Sequence, residues 1–285
     1  QRIQIRKLLQ KVGFNTKQGE ELLDVPQFLQ KMSDLADQAG GEAPKPVHPD
    51  TAFLDTIRRT AGNEQLLSLY NQRDELSQCI ETWTDFSARI NKRWPNWVTL
   101  MRLMDHAADI PDAEVILAQI QTIRQQRQLL EEPDLIAPLV ANLTQLMRDK
   151  LNALETAWET EWKNGEVQLE QDAIWQQIEP EQRHDLRSPR GLVESAKPSI
   201  EVGSTDSILK TLDTMSINAL EDRIAAMPGR YNQILVEAAR LMEPEVQQVS
   251  LPSRTLKTPE DIEAWIEAAR ARLLEKLENG PVRPC

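Results

Sequence analysis

From about Leu135 to Ile178 the chain carries apolar residues at helical spacing for roughly forty residues, marked by Leu143, Met147, Leu151, Leu154, Trp158, Trp162 and Leu169. At about 1.5 Å per residue such a helix runs on the order of 60 Å, longer than one small core can cover. An apolar stripe of that length has to be covered by neighbouring helices. The simplest cover is the segments 64–92 and 113–130 folded back antiparallel, as a helical bundle or coiled-coil arm. Ten glycines, 5% aromatic residues and abundant Leu, Glu, Gln, Ala and Arg agree with helices rather than sheets. The fold class expected is therefore mainly α: an elongated helical bundle with a long coiled-coil-like helix over 1–186, a linker at 187–204, and a small α-rich C-terminal domain over 205–285 with a candidate short β-hairpin.

The punctuation of the chain sets the other elements. Gln1 to Lys11 read as helix from the first residue, without an initiator methionine, so an upstream portion is expected to be missing. Pro26 suits a helix first turn, and Val25, Phe28, Leu29, Met32, Leu35, Ala36 and Ala39 recur around it at three- and four-residue steps. Gly40-Gly41 stops that helix, and Glu42 to Asp50, with three prolines, reads as a mostly extended connector.

Asn63 is a good N-cap for a helix from Glu64 to about Lys92 through Leu66, Leu69, Tyr70, Leu76, Ile80, Trp83, Phe86 and Ile90. Pro95 is expected to interrupt it ahead of a shorter helix with Val98, Met101, Leu103 and Met104. Pro111-Asp112 opens the next, through Val115, Ile116, Ile120, Ile123 and Leu130, and Pro133 ends it.

Gly165 is placed to kink the long helix. Three short helices are expected at 207–212, 217–227 and 231–241, then a short strand around Val246, Val249 and Leu251. Thr258-Pro259-Glu260-Asp261 is a strong helix start, and Asn279-Gly280-Pro281 a stop. Between them Ile262, Trp265, Ile266, Ala269, Leu273, Leu274 and Leu277 form the face expected to be buried, with Trp265 as its anchor.

Charge narrows the function classes. The formal net charge is -12, and residues 131–182 carry twelve acidic side chains against three basic ones. A surface of that sign is a poor match for a phosphate backbone, which is bound by cations that displace its counterions. Residues 1–17 are the opposite, with Arg2, Arg6, Lys7, Lys11 and Lys17 and no acid. Arg2, Arg6, Lys7 and Lys11 are the candidate surface for an acidic partner or nucleic acid, beside the plainer reading of a solvated helix face. No apolar run is long enough for a membrane span, and no signal-peptide order opens the chain. Cys79 and Cys285 suggest neither a disulfide framework nor a metal cluster, which points to a reducing, cytoplasmic setting.

No catalytic motif stands out. A phosphate cradle needs a glycine-rich loop ending in Lys-Ser or Lys-Thr, and none occurs. His48, His106 and His184 are scattered, with neither HExxH nor CxxC, and Cys79 sits mid-helix beside Ile80 as a small buried or half-buried residue. Trp158 and Trp162, one turn apart, are read as core rather than as a ligand cage. No catalytic, cofactor-binding or metal-binding residue is assigned.

Several phrases in order resemble the C-terminal region of the BrxC family, the large P-loop ATPases of BREX bacteriophage-exclusion systems, related to PglY. They are Phe28-Leu29 through Leu35-Ala36 and Ala39-Gly40-Gly41; Gly62-Asn63-Glu64-Gln65-Leu66; Trp94-Pro95-Asn96-Trp97 with Leu100; Arg127-Gln128-Leu129-Leu130 before Pro133-Asp134; and Leu251-Pro252 through Trp265 to Gly280-Pro281-Val282. The resemblance implies a non-catalytic helical assembly region of a cytoplasmic antiphage ATPase that works with a DNA methyltransferase and other components. ATP and magnesium would belong to a portion upstream of this chain. The partners it implies are other BREX components or a second copy, with DNA contact as the alternative and no membrane. An unrelated helical scaffold is the third reading. The tail departs from the family pattern, with Arg283-Pro284-Cys285 where the family ends in an apolar strand.

Overall fold

A computed structural model describes residues 1–108, 110–242, 247–253, 255–278 and 282–284. The described chain is mainly α and divides into two compact units, Gln1–Ala153 with Ile200–Ala219, and Leu154–Ser199 with Leu220–Cys285. The expected linker at 187–204 is thus divided between them. Its residues are not a free tether: Leu192 is fully buried, and Glu201 and Thr211 exchange hydrogen bonds at 3.0 and 3.2 Å.

In the first unit, α1 (Arg2–Lys11), α2 (Glu21–Gln38), α3 (Ala52–Arg58), α4 (Gly62–Asn71) and the first half of α5 (Arg73–Ala107) enclose one core. Ile5, Leu8 and Leu9 of α1 meet Val25, Phe28, Leu29 and Met32 of α2 and Leu76, Ile80 and Trp83 of α5 there. The three- and four-residue spacing read from the sequence is the spacing of these buried side chains.

Helix boundaries differ from expectation wherever a proline lies on a stripe. α2 starts at Glu21, so Pro26 falls inside the helix. α5 runs through Pro95 without ending, because Trp97, Leu100, Leu103 and Ala107 continue the buried face beyond it. Burial of that face outweighs the roughly 3 kcal/mol penalty of an interior proline. In turn the expected single helix from Glu64 is two helices capped by Ala61 rather than Asn63, broken at Gln72. Arg73 takes the Tyr70 carbonyl at 2.9 Å and lies over the Tyr70 ring.

The Gly40 to Asp50 connector folds back on itself instead of extending. The Gly41 N–H donates to the Pro46 carbonyl at 2.9 Å, and a Cβ on Gly40 would stand 2.6 Å from the His48 Cα. Pro111–Ala113 is one 3-10 turn leading into α6 (Glu114–Gln125), which ends well before Pro133. Leu129 and Leu130 remain buried in the loop that follows.

The long helix α7 (Ile136–Gln171) begins with the Asp134 carboxylate accepting the Ile136 N–H at 2.9 Å. Leu143, Met147, Leu151, Leu154, Trp158 and Leu169 are buried along it, as the stripe predicts, and Trp162 is half-buried. In the first unit Thr144 shares a hydrogen bond with Thr205 at 3.2 Å, and Arg148 donates to the Val202 carbonyl at 3.0 Å. α9 (Thr205–Thr214) follows, opened by a Ser204 capping box.

In the second unit the rest of α7, a turn at Trp175–Gln177, α8 (Pro180–Arg187) and α10 (Ile217–Met242, from Leu220 on) share a core of Trp158, Leu169, Trp175, Leu186, Leu192, Met227, Tyr231 and Ile234. The two helices expected over 217–241 are one, and Pro228 lies within it. Gly165 serves a close approach: a Cβ there would stand 2.1 Å from the Tyr231 ring. The unit ends in β1 (Gln247–Val249), α11 (Pro259–Leu277) and β2 (Val282–Pro284). The strands pair in parallel, Gln247 with Val282 and Val249 with Pro284, so the expected hairpin is instead a strand–helix–strand crossover. Of the residues read as strand, Val246 lies outside the described residues, as does the Asn279-Gly280-Pro281 stop.

Candidate interaction surfaces

Of the basic residues of α1, Arg2, Arg6 and Lys11 flank the buried face of Ile5, Leu8 and Leu9, and Lys7 lies on the opposite side. Arg6 and Arg2 both reach Glu21, at 2.5 and 3.6 Å, and Lys11 binds Glu81 at 2.6 Å and the Ser77 hydroxyl. Lys7 and Lys17 are exposed. The side chain of Glu21 is 1% exposed, and it also accepts the Gly19 N–H at 3.0 Å. Burial pushes its carboxyl up, but its own backbone N–H, Arg6, the Gly19 N–H and the Arg2 charge together hold it below the ordinary carboxylate range. Three of the four candidate cations are thus ion-paired within the fold, which the charge count of residues 1–17 does not reveal.

Arginines elsewhere are bound to loop carbonyls. Arg93, with its side chain 8% exposed, donates to the carbonyls of Leu129 and Glu131 at 3.0 and 2.7 Å and to the Glu132 carboxylate at 2.6 Å. Arg89 adds the Leu130 carbonyl and Glu132. Arg127, at φ 55°, donates to the carbonyls of Gly41 and Lys45, and the Lys45 ammonium sits 3.9 Å over the Trp94 ring. The Leu129 N–H donates to the Pro44 carbonyl at 3.2 Å. Gly41, Trp94, Arg127 and Leu129, far apart in sequence, therefore meet at one loop junction.

The tryptophan pair is structural on one side and half-open on the other. Trp158 is 2% exposed, stacked on Trp162 with centroids 6.4 Å apart, and Arg223 and Arg187 lie over the two rings. A cavity of about 100 Å3 beside it is lined by Trp158, Glu159, Trp162, Glu194 and Lys197. The Trp158 Nε1–H has no acceptor and is sealed from contact with a water-sized molecule, so it cannot serve a ligand in that cavity as it stands.

Among the described residues, two uncovered apolar surfaces stand out. Between α6 and the start of α7 runs a groove of about 940 Å3, lined by Val115, Ala118, Ile123, Leu135, Pro138 and Leu139. Val115, expected on a buried stripe, is 70% exposed at its rim. On α11 the expected core face is largely open: Ile262, Ile266, Leu274 and Leu277 are between 44% and 56% exposed, and Ala269 is buried. Trp265 is half-buried, its Nε1–H donating to the Pro252 carbonyl at 2.5 Å, so it ties the helix to the connection that follows β1 instead of anchoring a core. The cause is the thin cover: β1 and β2 have three residues each, beside a helix of 19.

Chemistry-bearing groups are dispersed. Among the described residues no three His, Cys, Asp or Glu side chains are grouped to hold a metal. Cys79 is half-buried, and burial with the neighbouring Glu75 charge raises its thiol pKa, which disfavours the reactive thiolate. His106 contacts Asp213 at 3.0 Å, beside Arg102, on an exposed face of the first unit. No described helix is long and apolar enough to cross a membrane. No protein-family model, no curated protein and no solved structure matches the chain.

Proposed function

We propose that this chain is a non-catalytic helical interaction and assembly region of a large ATPase of a BREX antiphage system. It works in the cytoplasm with a DNA methyltransferase and other components in host DNA methylation and phage exclusion. The observation that carries the reading is the groove between α6 and α7, a concave and mostly apolar surface of the kind that the side chains of a partner helix fill. A second support is the use to which the resembling phrases are put. Gly41, Trp94, Arg127 and Leu129 shape a loop junction, work that suits an assembly scaffold. ATP and magnesium belong, on this reading, to a portion of the parent upstream of this chain.

The test is binding of the purified chain to each purified BREX component, the methyltransferase first, by calorimetry at low and high salt. An apolar interface holds its affinity as salt rises, and Val115→Glu in the groove weakens it. Absence of binding to every component, together with salt-steep binding to DNA, would overturn the reading in favour of a nucleic-acid module.

A further inference from the structure

The α11 face is amphipathic in a particular way. Ile262, Ile266, Leu273 and Leu277 fall on one narrow arc of the helix, and the buried position, Ala269, lies on one side of that arc. Along the opposite edge run Glu263, Glu267 and Arg270. The charges are also split along the axis. Pro259 to Glu267 holds Glu260, Asp261, Glu263 and Glu267 with no base, whereas Ala268 to Leu277 holds Arg270, Arg272 and Lys276 against Glu275 alone.

We infer that this face is the dimer interface of the chain, occupied by α11 of a second copy running antiparallel. In a two-fold antiparallel pair each edge of a helix meets the same edge of its partner, reversed in direction. Centred between Glu267 and Arg270, that arrangement sets each Glu267 against the opposite Arg270, twice by symmetry. The same register seats Ile262 between the opposite Leu273 and Leu277. A parallel copy would set acid against acid, so the charge pattern selects the antiparallel one. Glu267 and Arg270 are 74% and 70% exposed and 3.9 Å apart within one helix, so both are placed to be shared across the dyad. The inference goes beyond the antiphage reading and does not depend on it, because all of its chemistry lies in α11. The contact area of one four-turn stripe is at the small end for protein pairs, so the affinity expected is on the order of micromolar.

Sedimentation equilibrium of the full chain from about 1 to 100 µM reads the result. The wild-type chain should pass from monomer to dimer over that range, and Ile266→Glu, at an exposed position that leaves the helix intact by circular dichroism, should remain monomeric. Glu267→Arg and Arg270→Glu, each alone, set like charges together and should weaken dimerisation by about tenfold. Mixed one to one they restore both opposite-charge pairs and should recover wild-type affinity. A chain monomeric throughout, or a dimer indifferent to Ile266→Glu, would overturn the inference. So would single reversals without effect, or a mixture that fails to recover. Binding to a BREX component is a separate measurement, so either proposal can fail without the other.

Discussion

Replacing Gly165 by alanine should destabilise the second unit, although alanine is the better helix former at any interior position. Intrinsic propensity favours the change by about 1 kcal/mol. Against it, the new methyl would lie 2.1 to 2.4 Å from three atoms of the Tyr231 ring, where carbon atoms rest at about 3.5–4.0 Å. The ring has little freedom to withdraw. It is fully buried, and its hydroxyl donates to Glu166 at 3.0 Å while Glu166 is held by Arg187. Overpacking of a constrained site costs about 1–3 kcal/mol and sometimes more, and here the upper end applies, for a net loss of roughly 2 kcal/mol. Urea unfolding followed by tryptophan fluorescence reports it, since Trp158 and Trp175 lie in the same core. The decisive comparison is the same substitution in a Tyr231→Leu background. Without the ring the clash disappears, and Gly165→Ala should turn neutral or stabilising. Stabilisation of the wild-type chain by Gly165→Ala would refute the close approach of α7 and Tyr231.

Three further outcomes are expected. Glu21, whose carboxyl is held low, contributes stability that is present above the ordinary carboxylate pKa and lost as pH falls through its folded value; the first unit should therefore lose stability as pH falls below the ordinary carboxylate range, and Glu21→Gln should flatten that acid limb in circular-dichroism melts. Tyr231 runs the other way: burial, then the Glu166 charge, raises its pKa, so its contribution is complete below about pH 10 and lost as pH climbs toward the folded value, with Tyr231→Phe removing that alkaline sensitivity. Arg93→Lys should cost about 2–4 kcal/mol in urea unfolding and expose the 126–134 loop to proteolysis, because one ammonium cannot bridge two carbonyls and a carboxylate as a guanidinium does.

The helical class and most inward faces were legible because they rest on local periodicity. Val25 to Ala39, Leu66 to Ile90 and Leu143 to Leu169 are buried at the spacing their sequence shows. Helix ends were less legible, and for one reason. Pro26, Pro95 and Pro228 argue for a break on local grounds, whereas the buried faces flanking them carry the helix through, and that energy comes from distant residues. The α11 stripe shows the converse. Periodicity identifies an apolar face but says nothing of what lies opposite it, so Ile262, Ile266, Leu274 and Leu277 read as core and stand in solvent. The basic start suffered from the same blindness. Arg2, Arg6 and Lys11 look available because Glu21 and Glu81 are remote in sequence.

The arginines tie these points together. Loops rich in proline and glycine have backbone carbonyls without helical or strand partners, and a buried carbonyl left without a donor is costly. A guanidinium offers several N–H groups in a fixed plane, so one arginine can serve two or three such oxygens at once. Both units use this device. In the first unit Arg93 and Arg127 hold the 126–134 and 41–45 loops; in the second Arg183 serves the carbonyls of Ile178 and Gln176, while Arg187, Arg190, Arg223 and Arg230 each donate to one, those of Leu192, Leu186, Ala196 and Arg190. Cation counts therefore overstate what this chain can offer a polyanion, since a guanidinium already engaged inside the fold must leave its carbonyls bare to reach a phosphate. The same engagement explains how a sequence with few glycines and many interrupting prolines keeps its connections ordered, and it leaves the uncovered apolar faces, rather than the basic ones, as the surfaces with free energy still to be gained by association.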